Sequence, residues 1–172
     1  YTTLFRSLYG LVSPEDHNIE PNLQIPWQAD SFELFIEKDA ARAGSETEYV
    51  SQYVFSPLPE EPGKCHINIP QGRAEERYGD PGIECAWQPT EQGYNLEFLI
   101  PARLLDPAEM SINTTMSMNF AVNNDGTPVQ QFYTDKNIDE GWRVPASWAV
   151  VRLRKHLTLS SEAAARFRLL LG

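Results

Sequence analysis

Cysteine is almost absent from this chain: Cys65 and Cys85 are the only two in 172 residues. That excludes a disulfide-dense scaffold, and no Cys-x-x-Cys or zinc-like spacing occurs. Histidine is as sparse. His17, His66 and His156 lie far apart and form no pair at helical spacing. Basic residues are outnumbered, 14 Lys and Arg against 24 Asp and Glu, for a net charge of −10. Without a basic footprint, nucleic acid and anionic membrane surfaces drop out as partners. No apolar run approaches the length of a bilayer span, so membrane insertion is not expected. The familiar catalytic signatures are missing too: no Gly-x-Ser-x-Gly, P-loop, Gly-x-Gly-x-x-Gly or His-Glu-x-x-His. Cys65 and His66 are adjacent, but neighbours on a strand point to opposite faces and cannot act together. Carboxylates are plentiful enough for a glycosidase's acid and base, yet a solvated acidic surface explains them equally well. We read the chain as not an enzyme.

What remains is a globular composition, 41% hydrophobic and 22% charged, long enough for one domain with its own core. The chain opens on Tyr1 with no Met and no leader, which reads as a mature or trimmed domain. Cys65 and Cys85 bracket a Pro/Gly-rich segment at the edges of β-like runs. A disulfide, which would imply an oxidising compartment, and two separate buried thiols are both open readings.

Period-two alternation organises the rest. In Ser31–Glu37, Phe32, Leu34 and Ile36 share one face while Ser31, Glu33 and Phe35 share the other. Further strands are predicted over residues 4–12, 49–55, 65–69, 83–88, 94–100, 116–122, 129–133 and 148–153. Residues 83–100 form the clearest hairpin. Met116, Met118, Phe120 and Val122 point inward from their strand. The stretch 70–82 reads as a polar surface loop, and 101–105 as one helical turn opened by Pro101. Ser160 caps a run of good helix formers, predicting a short C-terminal helix or linker over 159–172. Many short strands with turns between them, and thirteen prolines, indicate an antiparallel β-sandwich over 1–158.

Asn123-Asn124-Asp125-Gly126 offers hard oxygen ligands that suit calcium, but it lacks the spaced acids of an EF-hand loop; a plain turn is the simpler reading. The aromatics carry more information. Trp87 and Trp148 lie within strand patterns and read as core. Trp27 and Trp142 each sit in a polar loop just before a strand, beside Pro26 and Pro145. A single loop tryptophan usually seals its own domain. Two in matching settings point to an exposed site, because the CH-rich face of a sugar ring stacks on indole while polar side chains read its hydroxyls.

The residues themselves resemble a family. Pro26-Trp27-Gln28-Ala29-Asp30-Ser31-Phe32-Glu33-Leu34-Phe35-Ile36 is similar to the Pro-Trp-x-x-Asp-Ser-Val-Glu-Ile-Phe-Ile signature of family 9 carbohydrate-binding modules. Gly93-Tyr94-Asn95-Leu96-Glu97-Phe98-Leu99-Ile100, Met118-Asn119-Phe120-Ala121-Val122-Asn123-Asn124-Asp125, and Trp142-Arg143-Val144-Pro145-Ala146-Ser147-Trp148-Ala149-Val150-Val151-Arg152-Leu153 follow in the family's order. The resemblance implies a non-catalytic β-sandwich that clamps a terminal sugar of an oligo- or polysaccharide between Trp27 and Trp142. It implies that Glu33 bonds sugar hydroxyls and that Gln52 lies on the polar binding strand. The arginine and asparagine of that strand are replaced around Val54 and Ser56, so the sugar need not be the same. The resemblance also implies a secreted or extracytoplasmic chain, part of a larger multidomain protein. Some related sandwiches hold haem, for which Met110, Met116 and Met118 are the candidate ligands, although two of them read as core. The alternative reading is an extracytoplasmic sensor or accessory domain for another small ligand or a protein partner.

Overall fold

The alternation at Ser31–Glu37 builds the central strand of a large antiparallel sheet in the computed structural model, which describes residues 6–124, the backbone of 127–131, and 141–154. The strands are β1 (Ser7–Val12), β2 (Ser31–Glu37), β3 (Val50–Pro57), β4 (Cys65–Gln71), β5 (Glu84–Thr90), β6 (Gly93–Pro101), β7 (Thr115–Asn124), β8 (Thr127–Gln131) and β9 (Ala149–Arg152). Strands β4-β3-β2-β7-β8 run side by side, and β9 adds to β7. A smaller sheet, β1-β6-β5, packs against them. The architecture is the antiparallel β-sandwich expected from the strand spacing. The predicted C-terminal helix and domain boundary fall in 155–172 and lie outside the described residues.

Every second residue of the paired strands enters the shared core. Phe32, Leu34 and Ile36 come from β2, Tyr53 and Phe55 from β3, and Leu96, Phe98 and Ile100 from β6. Phe55 and Phe98 stack across the layers with ring centroids 4.9 Å apart, and Phe32 joins Phe98 at 5.6 Å. Such pairs contribute about 0.5–1.5 kcal/mol beyond their burial. Gly10 makes room for this stack. It pairs with Phe98 in register, and a Cβ there would collide with the Phe98 ring. Met110 and Met116 are buried in this core and Met118 packs against it, so their side chains serve packing.

The stretch 70–82 corrects the sequence reading. β4 continues to Gln71, and a five-residue helix, α1 (Ala74–Tyr78), follows. α1 is held from beneath. Glu76 is buried, its Oε1 accepting from Lys38 Nζ at 2.6 Å and Tyr53 Oη at 2.7 Å. Its Oε2 accepts from Ser51 Oγ at 2.9 Å and from the Arg73 amide at 2.7 Å. One buried carboxylate thus fastens the helix to β3 and the end of β2.

Candidate functional site

The outer face of β2 would ordinarily meet water, yet all seven residues of the strand are buried. Two loop systems cover it, and each carries one of the two loop tryptophans.

The first is the 3-10 turn Pro26–Gln28. Pro26 at its start fixes the backbone and is buried. Asn22 Oδ1 accepts the Gln24 and Ile25 amides, each at 3.0 Å, and the buried Asp30 accepts the Glu20 amide at 2.5 Å. The turn rests against β2, β3 and β7 and leaves Trp27 39% exposed.

The second is the pair of 3-10 turns Gly141–Arg143 and Pro145–Ser147. Trp148 anchors it. Its ring is fully buried against Phe35 and Val50, a small apolar cluster on the outer side of the sheet. Its Nε1 donates to the Gly141 carbonyl at 2.8 Å, and Ser147 Oγ donates to the same oxygen at 3.1 Å. A further tie runs through Glu37. Its carboxylate accepts the Arg42 and Ala43 amides, each at 2.8 Å, where Arg42 and the nearby Ala40 hold positive φ. The Ala43 carbonyl then accepts the Ala146 amide at 3.0 Å, and the Arg42 guanidinium donates to the Ala146 carbonyl. Left-handed backbone at non-glycine residues costs on the order of 1 kcal/mol each and persists only where the surroundings dictate it. The result is a rigid mount for Trp142. That ring is 39% exposed, lies 6.4 Å from Phe35 and carries the Arg143 guanidinium over it at 5.1 Å.

A polar cluster lies on the same face of the large sheet as Phe35. Glu33 is only 7% exposed, and both its oxygens are engaged. Gln52 Nε2 donates to Oε2, and Asn123 Nδ2 donates to Oε1 at 2.7 Å and to Ser31 Oγ at 3.0 Å. Burial raises the Glu33 carboxyl above its ordinary range, and the bonds from Asn123 and Gln52 offset this only in part. The Asn123 Oδ1 atom is buried without a hydrogen-bond partner among the described residues. Buried polar atoms are normally paired, so this acceptor beside a carboxylate is an exception.

Of the four residues singled out from the sequence, Glu33 and Gln52 are directly bonded. Trp142 stands over Phe35, which is the register partner of Gln52 on the same face. Trp27 is on the Pro26–Gln28 turn and makes no ring contact with Trp142 among the described residues. Asn123, which the sequence places at the start of a turn or calcium loop, donates its amide to Glu33 and Ser31, and Asp125 and Gly126 lie outside the described residues. Among the described residues no cluster of three His, Cys, Asp or Glu could hold a metal. Val54, 0% exposed, sits opposite Glu33 in register and gives it no cation. A cavity of about 670 Å³ opens between the layers beside β1; Asn123 is part of its lining, and neither tryptophan is.

Comparison with curated proteins yields no significant match. Solved structures that are similar include two of one module. A family 9 carbohydrate binding module from Caldicellulosiruptor kristjanssonii in complex with cellotriose superposes with a TM-score of 0.67 at 18% identity, over 89% of this chain and 72% of that one. The module from the same organism in complex with glucose gives 0.67 at 18% identity, over 91% and 75%. At that identity the likeness establishes the fold. The family profile described as carbohydrate family 9 binding domain-like matches residues 6–156. With most of the described sandwich inside that match, this chain belongs to the carbohydrate family 9 binding domain-like family.

Proposed function

We propose that this chain is a non-catalytic module that holds the terminal sugar of a glycan, with Trp27 and Trp142 as aromatic walls and Glu33, Gln52 and Asn123 as the polar floor. The observation that carries the reading is the outer face of β2. A half-exposed indole packs on Phe35 there, next to a buried carboxylate bonded to two amides. Indole faces take up the apolar side of a pyranose, while a fixed acceptor set orients its hydroxyls. The solved relatives in complex with cellotriose and glucose support a glucose-containing ligand. A glycan ligand in turn suits a secreted or extracytoplasmic setting and a larger multidomain protein that the module would dock.

Titration with glucose and cellotriose, followed by tryptophan fluorescence, tests the proposal. Saturable quenching or a blue shift is expected, and Trp142→Ala and Trp27→Ala should each weaken binding at least tenfold while leaving the melting temperature nearly unchanged. No response from the parent to any mono- or oligosaccharide would overturn it.

Val54 opposite Glu33 favours a second reading. In the family signature the binding strand carries an arginine around this position. Its replacement leaves a less polar floor, which suits another small ligand or a protein partner in an accessory or sensor domain.

A further inference from the structure

We propose that Cys65 and Cys85 are a disulfide-forming pair that ties the two sheets together where their edges meet. β4 is an edge strand of the large sheet and β5 an edge strand of the small one, and they touch across the layers without backbone pairing. Cys65 opens β4 opposite Pro57, two residues from Ile67, which pairs with the core residue Phe55. It therefore faces inward. Cys85 pairs with Phe98 and lies two residues from the buried Trp87, so it faces inward from the other sheet. Both pack against the same core from opposite sides. Both are free thiols here, and each faces the other's sheet across the shared core. The neighbouring Cys65, then burial, pushes the Cys85 thiol well up, which slows its reaction.

The oxidant is a small-molecule disulfide. One cysteine thiolate attacks it, forming a mixed disulfide and releasing one thiolate. The second cysteine sulfur then attacks the mixed disulfide, closes the Cys65–Cys85 bond and releases the other. The two expelled thiolates take up the protons given up by the cysteines. The chain loses two electrons and the reagent gains them. The closed loop spans residues 65–85 and contains α1 with its anchor Glu76. Closing a loop of this size removes freedom from the unfolded chain, raising the melting temperature by about 5–10 °C. None of this depends on what the tryptophans bind.

The test treats the reduced full chain with oxidised glutathione, then counts free thiols after denaturation and maps linked peptides. Both thiols should disappear. The peptides holding Cys65 and Cys85 should be joined within one chain, and the melting temperature should rise, with reductant reversing each change. The rise should be absent in Cys65→Ser and Cys85→Ser. Unreacted thiols, retained glutathione adducts, chain-to-chain crosslinks, a crosslink that leaves the melting temperature unraised, or a rise in either serine variant would each overturn the proposal.

Discussion

The indole nitrogen of Trp148 donates to the Gly141 carbonyl at 2.8 Å, so a fully buried tryptophan holds the turn that displays a half-exposed one, Trp142. Trp148→Phe keeps an aromatic ring against Phe35 and Val50 but removes that donor. The Gly141 carbonyl keeps a 3.1 Å contact from Ser147 Oγ, whose one proton is shared with the nearer Val144 carbonyl at 2.8 Å, and the smaller ring leaves a void, so the stability cost is about 2–4 kcal/mol, or several degrees in melting temperature. The sugar affinity should fall several-fold although Trp148 touches no ligand, because Trp142 loses its fixed pose. An affinity equal to the parent's, measured by the same fluorescence titration, would show that the turn holds its place without Trp148.

The Glu33 carboxyl separates binding from stability. Its folded-state pKa lies above the ordinary 4.5 because burial disfavours its charge. The folded chain therefore binds this proton more readily than the unfolded one. The favourable contribution is complete below the unfolded value and is lost as pH rises through the folded value. At neutral pH the buried charge is a net cost. Glu33→Gln should therefore unfold at a higher denaturant concentration than the parent at neutral pH, with the gap shrinking toward pH 4.5. The same variant should lose about 10- to 100-fold in sugar affinity, the scale of one hydrogen bond to a charged group. A variant weaker in both respects would mean that the carboxylate is structural.

The sequence showed these two residues unequally. Glu33 was legible twice over, from the alternation of Phe32, Leu34 and Ile36 against it and from the Pro26–Ile36 signature. The strand pattern also predicted the inward set Met116, Met118, Phe120 and Val122, and the core accepts all four. Trp148 read as a core residue and is buried, but on the outer side of the large sheet. Nothing in its local pattern distinguishes one apolar cluster from the other. Glu37 was invisible because its partners, the amides of Arg42 and Ala43, are backbone groups without a sequence signature. α1 was missed for a related reason: it has five residues, too few for a periodic signal, and it depends on contacts that Glu76 makes with Lys38, Ser51 and Tyr53 far away in the chain. Asn123 looked like turn chemistry because asparagine runs usually are; only the register Ser31↔Asn123 turns its amide onto Glu33.

The Lys38–Glu76 pair should govern acid stability. Burial alone would raise the Glu76 carboxyl. The hydrogen bonds from Lys38 and Tyr53, the Lys38 charge and the Arg73 amide outweigh it and hold the group below its ordinary 4.5. A carboxylate depressed in the folded state contributes stability above its unfolded value, and that contribution fades as pH falls through the lower folded value. The parent should therefore lose stability steeply below about pH 4.5, and Glu76→Gln should flatten that part of the curve. The amide in that variant would leave the Lys38 ammonium buried without its counter-charge, at about 3–5 kcal/mol near neutral pH. Replacing both partners, Lys38→Met with Glu76→Leu, removes the uncompensated charge and should recover much of that loss, although Ser51 and Tyr53 would then lack their acceptor. Chemical denaturation of the parent, Glu76→Gln and the double variant from pH 3 to pH 7 decides the matter. A double variant no more stable than Glu76→Gln would place the cost in the hydrogen bonds to Ser51, Tyr53 and Arg73, not in the ion pair.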